Sequence, residues 1–179
     1  MGFYKYMQQN WNSEEQAKLM KERLISWRKE PAIVKLERPM RLDRAHAVGY
    51  KAKQGFIIAR ARIAKGTRKR EKFAGGRKNK NYAFTSLPPA MSLQHIAEIR
   101  AAKHFPNLEV LNSYYLAEDG RNLWFEVVLV DPAHPCIMND PRMKWICCQR
   151  GRAYRGLTAA GRSGRGLRGS GKGFEKRLL

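Results

Sequence analysis

Hydrophobic and polar residues alternate with helical spacing in the first part of the chain. Ser13 and Gln16 form a capping box, and Glu14 and Glu15 suit the positive end of a helix. Apolar residues then recur every three or four positions until Pro31 stops the pattern. This region is therefore predicted to be a helix.

The stretch GFIIARARIAKG alternates with the period of a strand. One face would carry small aliphatic residues, and the other would carry two arginines; the two sets are Ile57, Ala59, Ala61 and Ile63, and Phe56, Ile58, Arg60 and Arg62. The pattern predicts a strand that is buried on one side and offers arginines on the other.

A second helix and a β-hairpin follow. Ser92 can cap a helix that Pro106 ends, and residues 108–131 read as two strands around an Asp119–Gly120 turn. Residues 35–55 contain Pro39 and show no clear period, so they are interpreted as an extended connection. A strand, a crossover helix and a hairpin predict an α+β fold, in which helices cover one face of a small sheet.

The domain prediction separates this body from two basic regions. Residues 1–149 would form a single α+β domain with an internal basic loop at about 65–90, and residues 150–179 a Gly/Arg-rich extension. Eight glycines lie between Gly151 and Gly173, a density that predicts no helix or strand of any length there.

Charge is concentrated in the same regions. The formal net charge is +21; residues 51–80 hold 12 Lys/Arg against Glu71, and residues 150–179 hold 9 against Glu175. Such segments favour a polyanion, either nucleic acid or an acidic membrane. The longest apolar run, LWFEVVLV, is too short to span a bilayer, and no signal peptide is visible. Three cysteines without a secretory signal favour a reducing intracellular compartment.

The C-terminal glycines match parts of two nucleotide-binding motifs. Gly164, Gly166 and Gly169 fit G-x-G-x-x-G, and Gly166, Gly171 and Lys172 fit all but the last position of the P-loop motif G-x-x-x-x-G-K-[ST]. However, Gly173 stands where a P-loop needs Ser or Thr, no buried strand precedes the glycines, and only six residues follow. The context therefore argues against a nucleotide site.

No catalytic or metal site is predicted. Cys136, Cys147, Cys148 and His134 lack the spacing of a zinc knuckle, and small buried or idle thiols explain them more simply. Glu118 and Asp119 resemble a pair of catalytic carboxylates, but a hairpin turn explains them more simply. We therefore expect no enzyme activity, no cofactor, no metal and no small-molecule substrate.

Aromatic residues accompany both basic regions, as in proteins that bind RNA. Phe73, Tyr82 and Phe84 flank the first, and Tyr154 and Phe174 lie in the second. Arginine pairs with phosphate and stacks on bases, and aromatic rings stack on bases as well. A charge run can also be only a solvated face, but two runs with aromatic residues favour nucleic acid.

Several blocks of sequence carry a family resemblance. GYKAKQG, LNSYYLAEDG, FEVVLVDPAHPCI and RGLTAAGRSGRGL occur in the order found in the archaeal/eukaryotic e-type family of large-subunit ribosomal protein fifteen, which the chain resembles over nearly its whole length. The departures lie in residues 66–90 and at the C-terminus. The resemblance implies a structural constituent of the large ribosomal subunit in the cytoplasm, with ribosomal RNA and neighbouring ribosomal proteins as partners and no membrane contact.

The expected RNA-binding residues combine this resemblance with the charge pattern. The resemblance implies Lys51, Lys53, Gln54, Arg155, Arg162 and Arg165. The strand face, the basic runs and the N-terminal block add Lys5, Arg60, Arg62, Arg68, Lys69, Arg70, Arg77, Lys78, Lys80, Arg150, Arg152, Tyr154, Arg168 and Lys172. The alternatives are a free-standing basic RNA-binding regulator and a nucleotide-binding enzyme that uses the terminal glycines.

Overall fold

A computed structural model describes residues 2–66, 68–69, 86–87 and 89–168. The helices in this part are α1 (Phe3–Trp11), α2 (Glu14–Lys29), α3 (Leu42–Ala47), α4 (Leu93–His104), α5 (Pro135–Met138), a 3-10 helix (Lys144–Cys148) and α6 (Ala159–Gly164). The strands are β1 (Ile33–Leu36), β2 (Phe56–Ala64), β3 (Arg68–Lys69), β4 (Ser86–Leu87), β5 (Glu109–Glu118) and β6 (Asn122–Val130). The predicted α+β class is confirmed.

Four strands form one antiparallel sheet in the order β1-β2-β6-β5, and β3 pairs with β4 separately. The predicted hairpin is confirmed as β5 and β6. Its turn is held by Asp119 Oδ1, which accepts the backbone N–H groups of Arg121 at 2.7 Å and Asn122 at 2.6 Å.

The aliphatic face of β2 builds the first core, as predicted. Ala59 and Ala61 are fully buried against Ala97 and Ala101 of α4. Helix α4 begins where the sequence predicted, since the Ser92 hydroxyl accepts the His95 N–H at 3.2 Å. Small residues on both elements let the helix approach the sheet closely.

The other face of the sheet is covered too, so the expectation of a single covered face is wrong. Ile58 and Val128 pack there against Ala45 of α3 and against Ile137 and Ile146. Helix α2 covers the far end of this face, where Trp27 lies 6.0 Å from Trp124 between ring centres. The predicted cap of α2 is confirmed, because Ser13 accepts the Gln16 N–H at 3.3 Å.

Two other local expectations are wrong. Residues 35–55 are not a plain connection, because they contain part of β1 and the whole of α3, whose Ala45 is fully buried. The Gly/Arg-rich region does contain a helix, because α6 forms at Ala159–Gly164. Both helices have six residues, so packing rather than periodicity supports them. Helix α1 was not predicted at all.

Candidate nucleic-acid interface

Residues 150–168, called here the C-terminal segment, lie along β5 and α4. The Glu109 carboxylate accepts the backbone N–H groups of Gly151 at 2.9 Å and Arg152 at 3.3 Å. Further along, the Asn112 side-chain oxygen accepts the Ala159 N–H at 3.1 Å. Side chains of β5 thus satisfy three backbone donors of the segment, which are those of Gly151, Arg152 and Ala159.

A buried carboxylate fastens the same segment to α4. Glu98 is fully buried and accepts the hydroxyls of Ser113 and Thr158, each at 2.5 Å. Burial raises the pKa of Glu98 above its ordinary value, and the hydrogen bonds from the two hydroxyls counter part of that rise. Nearby, a ring nitrogen of His95 lies 2.7 Å from the Ala153 carbonyl oxygen.

Close backbone packing shapes the segment. Gly156 has φ +63, and a Cβ on Gly161 would lie 2.5 Å from the Cα of Gly156. The backbone turn at Gly156 therefore touches α6 with no space for a side chain at Gly161. Glycine here serves packing as well as flexibility.

The docked segment carries an unpaired cationic surface. Arg150, Arg155, Arg162, Arg165 and Arg168 are exposed, and none forms an ion pair with a carboxylate in the described part of the chain. Together with Tyr154, which is 57% exposed, these five residues are called the arginine surface. No acidic residue occurs anywhere from 141 to 174.

Beside this surface lies a groove of about 440 Å3 that is open to solvent. We call it the Trp145 groove; its lining residues are Asn112, Trp145, Gln149, Arg152, Leu157, Ala159, Arg162 and Arg168. A second cavity of about 460 Å3 adjoins it and shares Asn112, Ala159 and Arg168. The second cavity extends to Arg44 and Tyr115, and the two adjoining cavities are together called the channel along β5.

Arg152 differs from the other arginines of the segment. It is half-buried, donates to the carbonyl oxygens of Val110 at 3.1 Å and Leu111 at 3.4 Å, and lies 4.5 Å from the ring centre of Trp145. Burial lowers the pKa of Arg152, and the neighbouring Arg162 charge lowers it further. The guanidinium therefore helps to build the groove.

The predicted residues from the GYKAKQG block lie elsewhere. Lys53 donates to Asp140 at 2.6 Å, and Lys51 lies 3.5 Å from the same carboxylate. The hydrogen bond from Lys53 lowers the pKa of Asp140 to about 2. Lys51 and Lys53 are thus partly neutralised within the fold, whereas Gln54 is exposed.

The strand arginines do not form the exposed face that the sequence predicted. Arg60 is buried, forms an ion pair with Glu30, and lies 4.1 Å from the ring centre of Trp27. Arg62 is half-buried and donates to the carbonyl oxygens of Trp27 and Arg28. The prediction that this face of β2 exposes its arginines is wrong, because α2 covers the face.

The remaining predicted residues are distributed as follows. Lys5 is exposed on α1. Arg68 and Lys69 belong to β3, and their side chains, like Arg70, Arg77, Lys78, Lys80 and Lys172, lie outside the described residues.

Sequence reasoning missed Asn112, Trp145 and Gln149. Trp145 follows Lys144 within the stretch that lacks acidic residues, and this neighbourhood could have drawn attention to it. Asn112 and Gln149 carry no such signal, because only the docking of the C-terminal segment brings them to the groove.

Within the described ranges, no three His, Cys, Asp or Glu side chains are grouped as metal ligands would be. Cys136, Cys147 and Cys148 are free thiols. In the same part of the chain, no helix has both the length and the hydrophobicity needed to cross a bilayer.

Comparisons with known proteins agree with the resemblance seen in the sequence. The family model described as "Ribosomal L15" matches residues 2–178. A curated protein from Methanocella arvoryzae (strain DSM 22066 / NBRC 105507 / MRE50), named "Large ribosomal subunit protein eL15", is 49% identical over 178 residues, which cover 97% of this chain and 91% of that protein. These matches confirm the predicted family and argue against a nucleotide-binding enzyme. The chain belongs to the ribosomal L15e family, whose members are structural ribosomal proteins and not enzymes.

Proposed function

We propose that the protein binds and stabilises folded large-subunit ribosomal RNA through the arginine surface and the channel along β5. As a family member, the protein is a structural component of the large ribosomal subunit in the cytoplasm. The RNA contact and the residues that make it are the proposal.

One observation carries the proposal: five exposed arginines share a surface with no carboxylate partner among the described residues. Closely spaced guanidinium groups repel one another unless anions lie between them. RNA phosphates supply such anions at regular intervals, and arginine pairs with them in a bidentate geometry.

The way the segment is held supports a rigid platform. Glu98, Glu109 and Asn112 bind its backbone and its Thr158 hydroxyl from the sheet and from α4. The arginines therefore project from a fixed backbone, which lowers the conformational entropy lost when RNA binds. We propose that the basic residues at 66–80 and beyond 168 add contacts to the same RNA, and that neighbouring ribosomal proteins share the interface.

The test is the salt dependence of binding between the full-length protein and transcripts of large-subunit ribosomal RNA. Each neutralised phosphate makes log K fall by about 0.7–0.9 per decade of salt. Replacing Arg162, Arg165 and Arg168 together by Gln should reduce this slope by about 2.

The control variant replaces Lys18, Lys29 and Lys103 by Gln, which removes the same charge from exposed positions on α2 and α4. Its slope should stay close to that of the wild type. If both triple variants changed the slope equally, binding would depend on net charge alone and the proposed surface would be wrong.

A further inference from the structure

We infer that the Trp145 groove receives one unpaired nucleotide of RNA, with its base against the Trp145–Arg152 pair and its phosphate between Arg162 and Arg168. The inference rests on the proposed function, because it assumes that RNA is the partner. It adds a defined site for a single extruded base to a surface that would otherwise recognise only phosphates.

The volume of the groove suits a small ligand. About 440 Å3 lies within the range of sites that hold small molecules, and it is far too little for a double helix. A nucleotide released from its stack can enter such a space, as RNA-binding proteins commonly require of the bases they read. Leu157 and Ala159 add apolar surface to the lining.

The platform for the base is held in position before any ligand arrives. The indole N–H of Trp145 donates to the Arg142 carbonyl oxygen at 3.0 Å, and Arg152 is fixed by the carbonyl oxygens of Val110 and Leu111. Trp145 is nevertheless 43% exposed. Its polar atom is used within the fold, so the exposed part of the ring offers a stacking surface rather than a donor.

The arginine charges in the groove favour binding of an anion. Arg152 and Arg162 are close enough for the charge of Arg162 to lower the pKa of Arg152. No described carboxylate forms an ion pair with Arg162 or Arg168. A nucleotide phosphate at this point would relieve the repulsion and take bidentate hydrogen bonds.

The amide groups favour a base that presents acceptors. The Asn112 oxygen already accepts from the Ala159 N–H, and the Gln149 oxygen lies 3.5 Å from an Arg155 nitrogen. In the described part of the chain, neither amide nitrogen has an acceptor. Guanine fits these donors best, because its O6 and N7 edge consists of acceptors only.

The experiment compares two short hairpin RNAs with the same paired stem and loop, one of which carries one additional, bulged guanosine. Binding of the full-length protein to each is measured at one salt concentration. The bulged hairpin should bind about tenfold more tightly, as expected for stacking one base. Trp145→Ala should bring that ratio down to about one, and Arg162→Gln should reduce it several-fold.

Two variants serve as matched controls, and all four are checked for folding by thermal unfolding. Trp145→Phe keeps an aromatic face and loses the same indole hydrogen bond, so it should preserve most of the ratio. Arg165→Gln removes an exposed arginine outside the groove lining, so it should lower the affinity for both hairpins by the same factor.

The outcomes separate the two proposals. If the wild type binds both hairpins equally, or if Trp145→Ala keeps the full preference, the nucleotide site is wrong and RNA binding by the arginine surface stands. If the wild type binds neither hairpin at low salt, the proposed function fails and the nucleotide site fails with it.

Discussion

The carboxylate of Glu98 in α4 accepts a hydrogen bond from the hydroxyl of Thr158 in the C-terminal segment, at 2.5 Å. Thr158 also caps α6 by accepting the Gly161 N–H at 3.2 Å. One fully buried threonine therefore joins the body of the protein to the helix that carries Arg162. The position of the arginine surface depends on this contact.

Replacing Thr158 by Val should loosen the C-terminal segment. The change keeps the volume of the side chain but leaves Glu98 with one donor fewer, and it removes the cap of α6. We expect a loss of about 1–3 kcal/mol in the free energy of unfolding, measured with urea, and faster amide exchange in residues 159–168. Thr158→Ser keeps the hydroxyl and removes one buried methyl group, so it should lose about 1 kcal/mol but keep the slow amide exchange of residues 159–168. Equally fast exchange in the two variants would contradict the role of the hydroxyl.

Stability should depend on pH through Glu98. Its pKa is raised above the ordinary value of 4.5, so the folded protein binds the proton more tightly than the unfolded chain does. The resulting stabilisation is complete below the ordinary pKa and is lost as the pH rises through the folded pKa. Buried Glu126, whose pKa is also raised by burial, should act in the same direction.

Urea unfolding of the wild type and of Glu98→Gln across this window tests that expectation. The wild type should lose stability relative to the variant as the pH rises, by up to about 1.4 kcal/mol per pH unit for one proton. A difference that stays constant with pH, or grows in the opposite direction, would show that Glu98 has no raised pKa.

Substitution of Arg60 should change the stability of the fold, whereas substitution of Arg162 should change the affinity for RNA. Arg60 lies opposite buried Glu126 in the β2–β6 register and pairs with Glu30. Arg60→Met should therefore lower the free energy of unfolding by about 1–3 kcal/mol and leave the RNA affinity of the folded protein unchanged. Arg162→Gln should lower the RNA affinity and leave the free energy of unfolding nearly unchanged, because Arg162 is exposed.

Both quantities are measured on the same preparations, by urea unfolding and by RNA binding at a temperature where each variant is folded. A large loss of RNA affinity in folded Arg60→Met would mean that this strand reaches the RNA after all.

Gly161 and Gly164 offer a matched pair within α6. A Cβ at Gly161 would meet the Gly156 backbone at 2.5 Å, whereas one at Gly164 would meet no atom within 4 Å in the described structure. Gly161→Ala should therefore displace α6 from the turn and cost about 1–3 kcal/mol. Gly164→Ala should be neutral or stabilise by up to about 1 kcal/mol, since alanine favours helix.

Limited proteolysis and urea unfolding distinguish the two glycine variants. Cleavage within residues 150–168 should become faster only in Gly161→Ala. If both variants behaved alike, the close contact between Gly156 and α6 would not hold the segment.

Local patterns in the sequence predicted the elements whose signals are strong and short in range. The caps at Ser13 and Ser92, the period-two pattern of β2 and the Asp119 turn each follow from chemistry within a few residues. The family and its ribosomal role could also be read from the order of the sequence blocks, which the comparisons confirm. The domain boundary at residue 149 and the RNA-binding residues stay predictions.

Only the tertiary structure determined which cationic side chains are paired within the fold. The alternating pattern of β2 predicted an exposed Arg60, yet Trp27 of α2 and the adjacent Glu30 cover it. The C-terminal glycines read as a flexible arm, yet Glu98 and Glu109 bind the described part of it. Charge is visible in sequence, but its availability depends on carboxylates and aromatic rings that are distant along the chain, and only the folded chain brings them within contact distance.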